Sequence, residues 1–272
     1  MGICKFCGQE KKLIKSHINP KKFYLGLKDD RYLCINSKVG KYSIQQQGGY
    51  DSNILCADCD NHILGEFDKE GYRVLFSDFN KYKYVQPHPQ YKIYQIDNVN
   101  FDYVKLRKFF ISILWRASVS KLEELSNINL GGYEKKAYEI LKDRREYDQL
   151  FKILIYKNCY TEDINQEVLI AKGKTKKYKK YVIQMAGYRI EVMVDSTRIT
   201  NQYKLQYETY FLNPTYAHII ETPEVSRRIK QKYNSRMREL YGTTKATWLL
   251  TIYLTYSLLR VMNTTLEKKR RS

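Results

Sequence analysis

The chain has no uninterrupted apolar stretch long enough to cross a bilayer. Its longest uncharged run, Ala246–Leu259, holds 14 residues between Lys245 and Arg260, where a span needs about 20 apolar residues. That run reads as a buried helix or a dimer interface, so no membrane partner is expected. The opening Met1-Gly2-Ile3-Cys4-Lys5-Phe6 has no apolar segment of signal-peptide length. Phe6 stands where a myristoylation motif would want Ser or Thr. The cysteines do not form a secreted disulfide framework: two C-x2-C pairs and the solitary Cys34 and Cys159 make six. A reducing, cytoplasmic setting suits that pattern better. Internal repeats are absent.

Acidic residues are also short. Against 48 Lys and Arg there are 29 Asp and Glu, a formal net charge of +19. The excess is uneven: +2 over residues 1–70 (11 against 9), +3 over 71–170 (16 against 13) and +14 over 171–272 (21 against 7). Such an excess favours polyanions, nucleic acid before anionic membrane. Lys, Tyr, Asn and Ile all use A/T-rich codons, so part of the Lys and Tyr load follows genome composition. With 43% hydrophobic and 14% aromatic residues over 272 positions, a folded core is expected.

The strongest pattern is Cys4-x2-Cys7 with Cys56-x2-Cys59. Each pair presents two thiolates from one tight turn, and two such turns complete a tetrahedral four-sulfur zinc site. The 48 residues between Cys7 and Cys56 exceed finger spacing, so they must form a structured insert. Residues 1–70 read as a zinc module in the order strand, turn, strand, knuckle, helix. Pro20 ends the extended piece Lys12–Ile18, and Ile63, Leu64 and Phe67 have helical spacing.

Residues 71–100 read as an aromatic connector of strands and loop, and 101–272 as a basic domain with C-terminal helices. Within it, helices are expected at 102–125 and 133–147 and strands at 151–156 and 167–171. A hairpin over 181–194 is expected to turn at Ala186-Gly187. Two basic features follow. Lys172–Lys180 contains Lys174, Lys176, Lys177, Lys179 and Lys180, and a helix over 224–240 carries Arg227 and Arg228. Both are candidate phosphate contacts, with a solvated loop and a solvated helix face as the alternatives. The fold class is α+β: a small N-terminal zinc module joined to a larger mixed helix and antiparallel-sheet domain.

Cys-x2-Cys, then Ser16-His17-Ile18-Asn19-Pro20, then Leu55-Cys56-x2-Cys59 resembles the zinc-containing branch of HNH (ββα-metal) endonucleases, the phage endonuclease VII type. The match covers residues 4 to about 67. It is also similar to bacterial HNH-like proteins with a Ser-His-Ile variant, in which a segment like Ser112–Ser118 often follows. Those proteins are associated with phage defence. The resemblance implies that His17 activates water as general base, since an imidazole titrates near working pH. It further implies a catalytic Mg²⁺ or Mn²⁺ held by Asp60 and by the residue before the histidine. Here that residue is Ser16, a hydroxyl in place of a carboxylate. His62 is the candidate for the missing ligand, which would favour a softer metal such as Mn²⁺, Ni²⁺ or Zn²⁺. Asn19 is placed to orient phosphate or water. The function implied is metal-dependent hydrolysis of nucleic acid, with double-stranded DNA the favoured substrate. The alternative is an inert zinc module in a nucleic-acid- or partner-binding protein. A third possibility is an effector that oligomerises, or meets a partner, through 246–259.

Overall fold

The computed structural model describes residues 1–23, 32–35, 42–45, 49–88, 91–144, 147, 150–157, 167–173, 178–195 and 208–221; for 32–35, 42–45, 86–88, 91 and 167–169 the backbone alone is described. All of them lie in one compact unit, Met1–Ser226. The expected helix at 224–240, the run 246–259, Cys159 and the Cys34 side chain fall outside the description.

The N-terminal part is assembled from very short strands. β1 (Gly2–Ile3) and β2 (Glu10–Lys11) form one antiparallel pair, β3 (Ser16–His17) and β6 (Tyr50–Asp51) another. A continuous helical run then covers Asp58–Ser77. Its centre is α1 (Gly65–Tyr72), and wide π-type turns occupy Asp58–Leu64 and Arg73–Ser77. Two strands of the insert, β4 (Tyr32–Ile35) and β5 (Tyr42–Gln45), leave this module and join the large sheet. β7 (Lys83–His88) and β8 (Tyr91–Asp97), from the connector, join the opposite edge.

The remaining strands are β9 (Leu150–Lys157), β10 (Glu167–Gly173), β11 (Lys180–Met185), β12 (Tyr188–Asp195) and β13 (Tyr216–Glu221). The nine-stranded order is β5-β4-β10-β11-β12-β9-β13-β8-β7. The sheet is mixed, where the sequence pointed to an antiparallel one: β4 runs parallel to β10, and β9 to β13. Strands distant in sequence meet in both pairs, so alternation within single strands cannot reveal their direction. The β11–β12 hairpin turns at Ala186 and Gly187, as expected, with φ of 46° and 81°. Two successive positive φ values suit a two-residue hairpin, because that turn follows the right-handed twist of the strands.

One helix organises the core. α2 (Tyr103–Val119) starts where the Asp102 side chain accepts from Lys105 N at 3.0 Å, which satisfies one of the orphan N–H groups of the first turn. It is buried continuously from Leu106 to Ala117, because α1 and α3 (Gly132–Leu141) pack on it and its apolar residues share one hydrophobic cluster with the sheet strands. The helix ends at Val119 rather than near 125: the Ser120 hydroxyl donates to the buried Asp51 carboxylate at 2.7 Å, and the backbone there turns extended. α3 is likewise shorter than its pattern suggested, ending before Asp143, whose φ is 52°. Among the described residues, no helix is long and apolar enough to cross a membrane.

The zinc module is wedged onto α2 and α3 through Phe6. Its ring packs edge-on against Trp115 at 5.6 Å and Tyr138 at 5.9 Å, and its carbonyl accepts from the Tyr138 hydroxyl at 2.9 Å.

Candidate metal centre and the His17 site

The four cysteines converge as their spacing requires. Their sulfurs all lie within 4.8 Å of one another, the only such set of three or more His, Cys, Asp or Glu among the described residues. Local backbone bonds explain the convergence. Cys4 N donates to Gln9 O at 2.9 Å, closing a tight hairpin in which Gly8 has φ of 74°. Leu13 bridges to Cys56, Ile14 N donates to Leu55 O at 3.0 Å, and Lys5 N to Ile54 O at 2.8 Å. These bonds carry the second knuckle onto the first.

Cys4, Cys56 and Cys59 are buried, and Cys7 is half-buried. Burial pushes the Cys4 thiol up, but hydrogen bonds from backbone N–H groups of Cys7, Cys56 and Phe6 outweigh it and leave the group at about 7. One of these, Cys56 N to Cys4 Sγ, spans 3.4 Å. Burial raises Cys56 and Cys59, as expected of thiols crowded together without a cation. Four sulfurs at this separation could hold a metal ion, and the set is consistent with a structural zinc bound by thiolate.

Directly beside this centre, β3 and β6 pair as Ser16 with Asp51 and His17 with Tyr50, and Ile18 N donates to Gly49 O at 3.0 Å. The helical run begins with Asp60 N donating to Cys56 O at 3.0 Å. A two-strand hairpin followed by a helix therefore frames the site. His17 is half-buried, its ring 6.2 Å from that of Tyr50. Lys15 Nζ lies 5.0 Å from the same tyrosine ring. Ser16 is fully buried and shares a side-chain hydrogen bond with Asp60.

Burial lifts the Asp60 carboxyl to about 6, and the neighbouring Asp68 adds to the rise; the Arg116 guanidinium and Ser16 hydroxyl oppose it. Asn19 is 4% exposed, and its Oδ1 has no protein partner, an unusual state for a buried acceptor. His62 does not join this group. It is exposed on the helix, where its charge interacts with Glu66, and residues two apart on a helix do not face the same way.

Two further residues complete the site, and the motif did not point to either. Arg116, on α2, donates from Nη1 to the His17 carbonyl at 2.9 Å, and from Nη2 to Asp68 Oδ1 at 2.6 Å and Ser112 Oγ at 3.0 Å. Asp68, on α1, is raised by burial and held down by Arg116 and, less strongly, by His17. The one available signal was Arg116 itself, the only charge between Lys108 and Lys121.

Of the basic candidates, Lys180 pairs with the buried Glu191 at 3.0 Å, and Lys179 lies 5.5 Å from the Tyr133 ring. Lys174, Lys176, Lys177, Arg227 and Arg228 lie outside the described residues. No family model, curated protein or solved structure matches the chain.

Proposed function

We propose that the protein is an HNH-like, metal-dependent nuclease acting on nucleic acid, with DNA the favoured substrate. The observation that carries this reading is the half-exposed His17 on a hairpin strand, beside Asp60 and Asp68 on the following helix, all flanking a four-sulfur centre. His17 would take a proton from water, and the hydroxide would attack phosphorus as the P–O bond to the leaving sugar oxygen breaks. That oxygen leaves with a proton delivered from solvent, and the imidazolium releases its own proton to bulk.

A divalent ion would be held by Asp60, with Ser16 and water supplying further oxygens. The fit is chemical: burial without a partner cation already disfavours the charged form of Asp60, and the orphaned Asn19 Oδ1 is a neutral oxygen donor of the kind Mg²⁺ and Mn²⁺ accept. When bound, the ion would supply stabilisation of the charge that develops on the phosphate. The excess of positive charge over 171–272 supports backbone binding without base preference.

The test is plasmid nicking in Mg²⁺, Mn²⁺ or Ni²⁺ by the wild type and by His17→Ala, with zinc content measured in both. Activity lost in the variant while zinc is retained supports the hydrolase. One observation favours a second reading, an inert zinc module in a binding protein: Ser16, where the family carries a carboxylate, is buried against Asp60. Wild-type protein that shifts DNA in a gel but nicks it in none of the three metals would establish that reading instead.

A further inference from the structure

We infer that Asp68 and Arg116 are positioning residues for His17, through which a helix outside the hairpin-and-helix unit sets the orientation of the imidazole. The inference rests, for its catalytic consequence, on the reading of His17 as the base.

The geometry is specific. Three elements meet at one guanidinium: β3 through the His17 carbonyl at 2.9 Å, α1 through Asp68 at 2.6 Å, and α2 itself through Ser112 at 3.0 Å. The Arg116 side chain is 1% exposed and that of Asp68 19%. Its Nε has no protein partner, so the cation sits where an apolar side chain would avoid an unsatisfied donor. A buried ion pair is seldom the most stable filling for such a space. What this one provides is a fixed relation between two groups, because the planar fork holds the backbone of His17 and the carboxylate facing it at the same time.

The electrostatics agree with that placement, since His17 is among the groups that draw the Asp68 carboxyl down against the effect of burial. A carboxylate held beside an imidazole selects one ring tautomer and favours the imidazolium that forms when the ring takes a proton. Neither residue touches the reacting atoms, so their contribution runs through His17.

The test uses the full-length, zinc-loaded protein with ¹⁵N-labelled histidine, at a fixed pH of about 8, where an unperturbed imidazole is neutral. The expected wild-type result is one dominant His17 tautomer, read from the ring ¹⁵N shifts. Asp68→Asn and Arg116→Met should move those shifts towards a tautomer mixture, and Arg116→Lys should recover part of the wild-type signal. In the nicking assay the first two variants should lose about 10- to 100-fold in kcat with KM little changed, the range for second-layer partners of a histidine. Unchanged His17 shifts in Asp68→Asn would overturn the inference, as would a loss confined to KM. If the wild type nicks nothing, the hydrolase reading fails while the ring shifts still decide the positioning. Should Arg116→Met fail to retain zinc, Asp68→Asn and Arg116→Lys carry the comparison.

Discussion

Removing the Arg116 guanidinium should be among the most damaging single changes in the described part of the chain. In Arg116→Met the apolar stem survives, but three hydrogen bonds go and Asp68 keeps a largely buried carboxylate with no cation against it. Breaking a buried pair from one side costs about 3–5 kcal/mol, mostly because of the charge left behind.

The pH dependence fixes the cause. Burial already raises the Asp68 carboxyl with Arg116 in place, and without the guanidinium it rises further. A folded-state pKa above the unfolded value of about 3.9 means that the native form binds the proton more tightly. The penalty is therefore fully present above the raised folded pKa and fades as pH falls through it towards the unfolded value. Urea denaturation of zinc-saturated protein, followed by far-UV circular dichroism, should show a larger deficit for Arg116→Met at pH 8 than at pH 5. The companion variant, Arg116→Met with Asp68→Leu, removes both charges and should regain at least about 2 kcal/mol over Arg116→Met alone. Two results would refute this reasoning: a coupling energy within the roughly 0.5 kcal/mol of ordinary additivity, or a deficit that does not change with pH.

Other expectations follow from separate contacts. One zinc per chain should be measured by elemental analysis; its removal by a strong chelator, or Cys56→Ser, should expose residues 1–23 and 49–72 to proteolysis, because zinc binding contributes roughly 10 kcal/mol or more in small structural sites. Gly71→Ala should cost about 1–3 kcal/mol in denaturation, since the added carbon would lie 2.4 Å from the Phe109 ring where α1 crosses α2; a neutral result would contradict that close crossing. Tyr138→Phe removes the hydroxyl that reaches the Phe6 carbonyl at 2.9 Å and should cost about 1 kcal/mol, with zinc content unchanged.

Local chemistry was legible in the amino-acid order because it acts over short distances. Two thiols three positions apart must lie in one turn, so Cys4, Cys7, Cys56 and Cys59 could be matched without coordinates, and Ala186-Gly187 marked its hairpin by backbone preference alone. The helical spacing of Ile63, Leu64 and Phe67 placed the run that begins at Asp58. His62 shows where this kind of reading stops: it is close to Asp60 in sequence, yet helix geometry turns it outward.

Only the tertiary structure could decide the rest. The direction of β4 against β10, and of β9 against β13, is set by strands that are far apart in the chain. The capture of the insert and connector strands by one sheet likewise depends on edges, not on patterns within strands. Arg116 is separated from His17 by 99 residues, and nothing in the neighbourhood of either announces the other. Their contact exists because α2 is buried from Leu106 to Ala117 and the interior leaves its one late cation no water to meet. A charge in that position must find partners among whatever the fold brings to it, and this fold brings Asp68 and the backbone of His17.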